Sequence, residues 1–147
     1  MSILTLNNIC LSYGITDILK NISFSVNEGN KVGIIGANGA GKTSLLNIIY
    51  GSAESSSGTV NIKKDTKIGF LRQHVDEEYE NRTVIDVVQS SLREEYKTKA
   101  EGVLKSLGIP TELHNLTLST LSGGQKTRVA LAAVMMGDYD IIILDEP

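Results

Sequence analysis

From Met1 to Val26 the apolar residues fall in short runs with a period near two: Ile3, Leu4 and Leu6, then Ile9, Leu11 and Tyr13, then Ile22, Phe24 and Val26. Turn-forming residues separate the runs (Asn7-Asn8, Gly14, Asn21), and the pattern predicts an antiparallel meander. The turn-like segment Asn27–Asn30 follows, and Lys31–Ile35 then reads as a short apolar strand running into GANGAGKT. Behind that loop the period changes. Leu45, Leu46, Ile48 and Ile49 sit at helical spacing across Thr43–Tyr50, with Gly51 placed as the C-cap. Ser52–Gly58 reads as a polar loop, and Thr59–Ile62 and Ile68–Leu71 as two more strands.

The middle of the chain is helical in pattern. Asp76–Glu80 is an acidic run that reads as a solvated loop. Thr83 followed by Asp86 is a helix-starting cap with Val84, Val87 and Val88 behind it. Leu92, Tyr96, Ala100, Val103, Leu104 and Leu107 trace one face of a second helix, closed by Gly108 and Pro110. Thr111–Thr120 is loop-like. Val129, Ala130, Ala133 and Met136 form the apolar face of a helix over Gly123–Met136, and Ile141–Leu144 is a fully apolar strand closing on Asp145-Glu146-Pro147. His74 and His114 both read as surface histidines. Together these elements predict an α/β fold: an antiparallel β part at the N-terminus, a mainly parallel core around the strands at Lys31 and Ile141, and a helical insert.

Composition narrows the function. At 147 residues, 41% apolar and 21% charged, the chain has the make-up of an ordinary globular domain. Disorder is excluded by the apolar content, and no uninterrupted apolar run reaches the ~18–20 residues of a membrane span. The start MSILTLNNIC lacks the basic and apolar regions of a secretory signal, and Cys10 has no second cysteine to pair with, so a reducing cytoplasm is expected. Lys and Arg number 14 against 17 Asp and Glu, a net charge of −3. A phosphate must therefore be held by a local device rather than by general basicity. The 14 glycines supply candidates, since Gly33, Gly36, Gly39 and Gly41 cluster in one stretch and Gly123-Gly124 in another.

Three motifs carry chemistry. Gly36–Thr43 (GANGAGKT) matches G-x-x-x-x-G-K-[ST] between a strand and a helix. Its glycines let backbone N–H groups turn toward phosphate oxygens, Lys42 supplies a positive charge to the β and γ phosphates, and Thr43 offers a hydroxyl to Mg²⁺. Ile141–Glu146 (IIILDE) carries Asp145 to a strand end, where a carboxylate can hold the water shell of Mg²⁺, and Glu146 can polarise a water for attack on the γ-phosphate. In isolation it reads more readily as a buried strand ending in a polar turn, and the phosphate loop upstream reverses that balance. Leu121–Gln125 (LSGGQ) opens a helix and forms a second anion-binding concavity, or else an ordinary serine cap with a flexible entry.

In this order, the phosphate loop, LSGGQ and the DE strand resemble the nucleotide-binding domain of the ABC ATPases across nearly the whole chain. The resemblance implies ATP and Mg²⁺ as ligands and hydrolysis at an interface between two such domains. Nucleotide would be bound by Tyr13, stacking on the base, by Gly36, Ala37, Asn38, Gly39, Ala40, Gly41, Lys42, Thr43 and Ser44, and by Ser122, Gly123, Gly124 and Gln125 facing a partner's nucleotide. It implies Thr43, Gln73 and Asp145 at the metal, and Glu146 with Gln73 at the attacking water. The run LSGGQKTRVALA, with Lys126-Thr127-Arg128 after the signature, looks like the ABC-F branch. Those are cytoplasmic ATPases with two ABC domains that act on ribosomes in translation or antibiotic protection. The alternative is the ATP-binding subunit of an ABC transporter, partnered by a membrane protein.

The family's histidine and turn after the DE strand have no counterpart before Pro147. The expectation is therefore a partial first ABC domain: residues 1–72 as β part and phosphate-loop core, 73–122 as glutamine loop and helical part, 123–147 as signature helix and Walker B strand. Such a chain alone is expected to bind nucleotide weakly and hydrolyse it little. The ATPase belongs to the full-length protein.

Overall fold

The computed structural model describes residues 1–72, 77–90 and 92–146. The chain divides into two compact units, Met1–Thr66 and Lys67–Pro147.

The first unit is built on a hairpin of two long strands, β1 (Ser2–Tyr13) and β2 (Thr16–Asn27), paired antiparallel. The expected meander of short strands is thus merged into one ribbon. Asn8 and Asn21, expected as turns, are bulge residues: both have φ 50, and the β1–β2 register shifts between Leu6 and Ile9 and again between Ile9 and Leu11. Asparagine tolerates this left-handed conformation, so each bends its strand without ending it. The real turn is Gly14-Ile15, where Gly14 has φ 60, as a tight two-residue hairpin loop requires at its first position. On the other edge of β1 lies β3 (Ser57–Ile62), also antiparallel, giving the order β2-β1-β3. Ile3, Leu4, Leu6, Ile9, Leu11 and Leu19 of this sheet are buried.

Lys31–Ile35 departs from expectation. Residues 30–37 join no strand ladder among the described residues, and Val32 and Ile35 are 57% and 98% exposed. An apolar run specifies a preference for burial but no pairing partner, and both edges of β1 are already taken by β2 and β3. The helix behind the loop forms as expected. α1 (Lys42–Tyr50) buries Leu45, Ile48 and Ile49, and ends at Gly51, whose φ of 86 lets its N–H reach the Asn47 and Ile48 carbonyls.

The second unit holds the parallel pairing. β4 (Ile68–Leu71) and β5 (Ile141–Leu144) run side by side with Ile68 opposite Ile141 and Leu71 opposite Leu144. Between them in sequence come α2 (Val84–Gln89), α3 (Ala100–Ser106) and α4 (Gly123–Met136). Their shared core is Val84, Val87 and Val88 of α2, Ala100 and Leu104 of α3, Val129 and Ala132 of α4, with Ile109, Leu118 and Leu121 from the connections. Thr83 caps α2 by accepting from the Asp86 N–H at 3.2 Å, as its spacing predicted. The helix expected from Leu92 is α only from Ala100. Residues Glu94–Lys99 form a tighter 3-10 turn with no buried side chain, and Tyr96 is 41% exposed. A stretch so charged (EEYKTK) has no apolar stripe to lay on α4, and local turn geometry prevails.

His114, read as a surface histidine, is buried at 3% exposure. Its Nε2 hydrogen-bonds with the Ile109 carbonyl at 3.0 Å, while its own carbonyl accepts from the Ile85 N–H at 2.9 Å. His114 thus ties the connection after α3, through its ring, to the start of α2, through its backbone carbonyl. His74 lies outside the described residues.

Candidate nucleotide-binding site

The phosphate loop occupies the end of the first unit's irregular segment and the N-terminus of α1. Gly39 and Gly41 have φ 78 and 90, and the Ala40 N–H closes back on the Ala37 carbonyl at 3.1 Å. Gly41 is the N-cap of α1, which has no side-chain cap, and the positive end of the helix dipole lies at the loop. A Cβ at Gly41 would stand 2.6 Å from Ile18 Cγ2 and 3.0 Å from Leu19 Cδ2. The loop is therefore seated directly on β2. The Lys42 ammonium folds back over the loop, donating to the Gly36 carbonyl at 2.9 Å and the Ala37 carbonyl at 3.0 Å. Gly36, Ala37, Asn38, Gly39 and Ala40 are exposed, as is Thr43, while Ser44 is half-buried on the first turn of α1.

Tyr13 ends β1 at the hairpin, pairs with Thr16 across it, and is 64% exposed. The same strand β2 that receives Tyr13's partner supports Gly41 two residues later, at Ile18. The hairpin aromatic and the phosphate loop thus share one strand.

In the second unit Asp145 follows β5 directly. Its backbone N–H donates to the Leu71 carbonyl at 3.0 Å, and its side chain is buried at 4% exposure. Glu146 is exposed and has φ 51, an uncommon conformation for a residue with a side chain. The signature turn is well ordered by local bonds. Ser122 Oγ accepts from the Gln125 N–H at 3.4 Å, and Gln125 Oε1 accepts from the Ser122 N–H at 2.9 Å, a reciprocal capping box. The Ser122 hydroxyl also lies 3.0 Å from Gln125 Oε1. Gly123 and Gly124 are exposed as the first two residues of α4, with N–H groups that lie too early in the helix to find an intrahelical carbonyl. The spacing S-x-x-Q in LSGGQ was the sequence signal for that box. Gln73 lies outside the described residues.

Sequence reasoning missed two charge arrangements. Lys126, in the first turn of α4, donates to both carboxylate oxygens of Glu80 at 2.8 Å, while Arg128 is exposed. Asp138, between α4 and β5, accepts from Lys67 and from Arg93. Hydrogen bonds from Lys67 and then Arg93, reinforced by their charge, hold the Asp138 carboxyl below its ordinary value of 3.8. A carboxyl lowered in the folded state stabilises above its unfolded value and loses that contribution as pH falls through the folded one. Asp138→Asn is therefore expected to flatten the decline in stability below about pH 4. Urea midpoints taken across that range check it, and an unchanged acid slope would count against the pairing.

The profile of the ABC transporter family matches residues 19–147. The chain belongs to the ABC transporter family, as an ATP-binding domain. A probable metal transport system ATP-binding protein of Thermotoga maritima is 42% identical over 93% of this chain and 59% of its own length. A ribosome protection protein of Bacillus subtilis, VmlR, is 32% identical over 98% of this chain and 26% of its own length. Among solved structures, a nucleotide-free ATP-binding cassette from an ABC transporter superposes with a TM-score of 0.75 at 27% identity, covering 100% of this chain and 70% of that one. The chain thus spans about three fifths of the length of the Thermotoga relative. The α/β fold of ABC type, with its N-terminal antiparallel β part and helical insert, is the fold of these neighbours. No helix among the described residues of this ABC domain is long and apolar enough to cross a membrane.

Proposed function

We propose that this ABC domain is the ATP-binding and ATP-hydrolysing core of a transporter ATPase, working in the cytoplasm as one of a pair of such domains beside a membrane-embedded partner. The phosphate loop carries the reading: two left-handed glycines, an uncapped helix N-terminus and the Lys42 ammonium converge on one exposed turn. That donor set fits a triphosphate, and Gly41 has no Cβ to hold the loop off β2, where one would meet Ile18 Cγ2 at 2.6 Å. The transporter branch is favoured by the 42% identity to the metal transport protein, ten points above the ribosome protection relative.

Each residue then has a task. Tyr13 stacks on the base. Gly36–Ser44 enclose the phosphates, with Lys42 exchanging its two carbonyl acceptors for phosphate oxygens. Thr43, Asp145 and Gln73 would hold Mg²⁺, which would supply positive charge against the phosphates. Glu146 and Gln73 orient the attacking water, Glu146 taking its proton. Ser122, Gly123, Gly124 and Gln125 receive the γ-phosphate of the facing domain. In this scheme segments 1–72, 73–122 and 123–147 supply the base and phosphate site, the glutamine loop with the helical part, and the signature with the metal carboxylate.

A second reading is supported by Lys126-Thr127-Arg128 and by the ribosome protection relative: an ABC-F ATPase acting on ribosomes. Fractionation of cells expressing the full-length protein separates the two. With Glu146→Gln to retain ATP, the transporter reading places the protein with the membrane fraction together with a spanning partner. Pelleting with ribosomes in an ATP-dependent manner would overturn it in favour of the second.

A further inference from the structure

The first turn of α4 is held from outside as well as by its own capping box. Residues 80–85 run antiparallel beside 114–119. The Val84 N–H donates to the Leu116 carbonyl at 3.0 Å, the Leu118 N–H to the Arg82 carbonyl at 2.9 Å, and the Ser119 N–H to the Glu80 carbonyl at 2.9 Å, with Thr83 and Thr117 bridged between them. This strap leads straight into Leu121 and the Ser122 cap. Its end residue, Glu80, presents both carboxylate oxygens to Lys126 Nζ at 2.8 Å. The side chains are only 30% and 22% exposed. By contrast, the Lys20–Asp17, Lys63–Glu28, Lys67–Asp138, Arg93–Asp138 and Lys97–Glu94 pairs each have at least one side chain more than half exposed.

A half-buried pair with two charge-assisted bonds fixes direction as well as distance. Lys126 is four residues beyond Ser122, one turn up the helix on the same side. Anchoring it to Glu80 fixes the rotation of α4 about its axis, and so the direction in which the Gly123 and Gly124 N–H groups and the Ser122 hydroxyl point. With its charge matched by Glu80, Lys126 is occupied and does not serve as a phosphate ligand.

We propose that Lys126 and Glu80 are positioning residues that aim the signature turn at the nucleotide of the facing domain. The inference rests on the two-domain reading above. It concerns only the closed, catalytic arrangement, so nucleotide affinity at the domain's own phosphate loop should be untouched.

The test uses the full-length protein, with steady-state ATPase, equilibrium binding of a fluorescent ATP analogue and thermal melting on every variant. Lys126→Met and Glu80→Gln are expected to lower kcat about tenfold with analogue affinity within twofold of the parent. Lys126→Arg, which keeps two donors for Glu80, is expected to recover most of the rate, and the exchange Lys126→Glu with Glu80→Lys part of it. A bulky Ser122→Arg variant serves as the control for the underlying reading. Turnover at the parental rate by Lys126→Met, or equal losses in kcat and analogue affinity, would overturn the positioning role while an inactive Ser122→Arg leaves the two-domain reading standing. Parental turnover by Ser122→Arg would overturn the two-domain reading and the positioning role with it. If Lys126→Met melts far below the parent, Lys126→Arg and Glu80→Gln decide: failure of Lys126→Arg to restore the rate overturns the proposal.

Discussion

Glu146→Gln in the full-length protein is expected to reduce ATP turnover by about 100- to 1000-fold while leaving Mg-ATP affinity within a few-fold of the parent. Glu146 is exposed at the end of β5, one residue past buried Asp145. The backbone holds it at φ 51, a conformation that side-chain-bearing residues adopt at a cost of order 1 kcal/mol. Amidation keeps size and hydrogen bonding but removes the ability to take a proton. If Glu146 acts as the base, chemistry stops and binding persists. Equal loss of both would place Glu146 among the binding groups instead. Single-turnover rates beside equilibrium titrations separate the outcomes.

Gly41→Ala should be as damaging by a different route. At φ 90 a residue with a Cβ is strained by about 1–2 kcal/mol, and here the Cβ also meets Ile18 Cγ2 at 2.6 Å. Ile18 belongs to β2, which is paired along its length with β1, so the sheet cannot easily give way. The loop must lift instead, and the helix N-terminus goes with it. A loss of nucleotide affinity of at least about 100-fold is expected, equivalent to about 2.7 kcal/mol. A modest fall in melting temperature should accompany it. Normal affinity would mean that the loop does not rest on β2 when nucleotide is bound.

Much of this arrangement was legible in the chain's residues because local chemistry set it. The phosphate loop announced itself through glycine spacing and Lys42, α1 through its apolar period and Gly51, α2 through Thr83, and α4 over its whole length. What escaped depends on neighbours distant in sequence. Asn8 and Asn21 look like turns from either side and become bulges only because β1 and β2 pair through them. Lys31–Ile35 has strand composition but no ladder. His114 is polar and lies in a loop-like run, yet it is buried and bonded to the carbonyl of Ile109, a member of the core. Nothing near Lys126 in sequence marks its partner Glu80, 46 residues earlier, whose carboxylate accepts from it. The site residues were named from motif and resemblance, while the contacts that hold them in place needed the structure.

The central claim is that the loop Gly36–Thr43 holds nucleotide phosphate through Lys42. Isothermal titration of Mg-ATP into the full-length protein and its Lys42→Ala variant tests it most directly. The Lys42 ammonium contacts the loop carbonyls of Gly36 and Ala37 at the surface, so its removal should spare the fold, which melting can verify. The account predicts saturable binding by the parent and affinity at least about 100-fold weaker in the folded variant. Equal affinity in both proteins would contradict it.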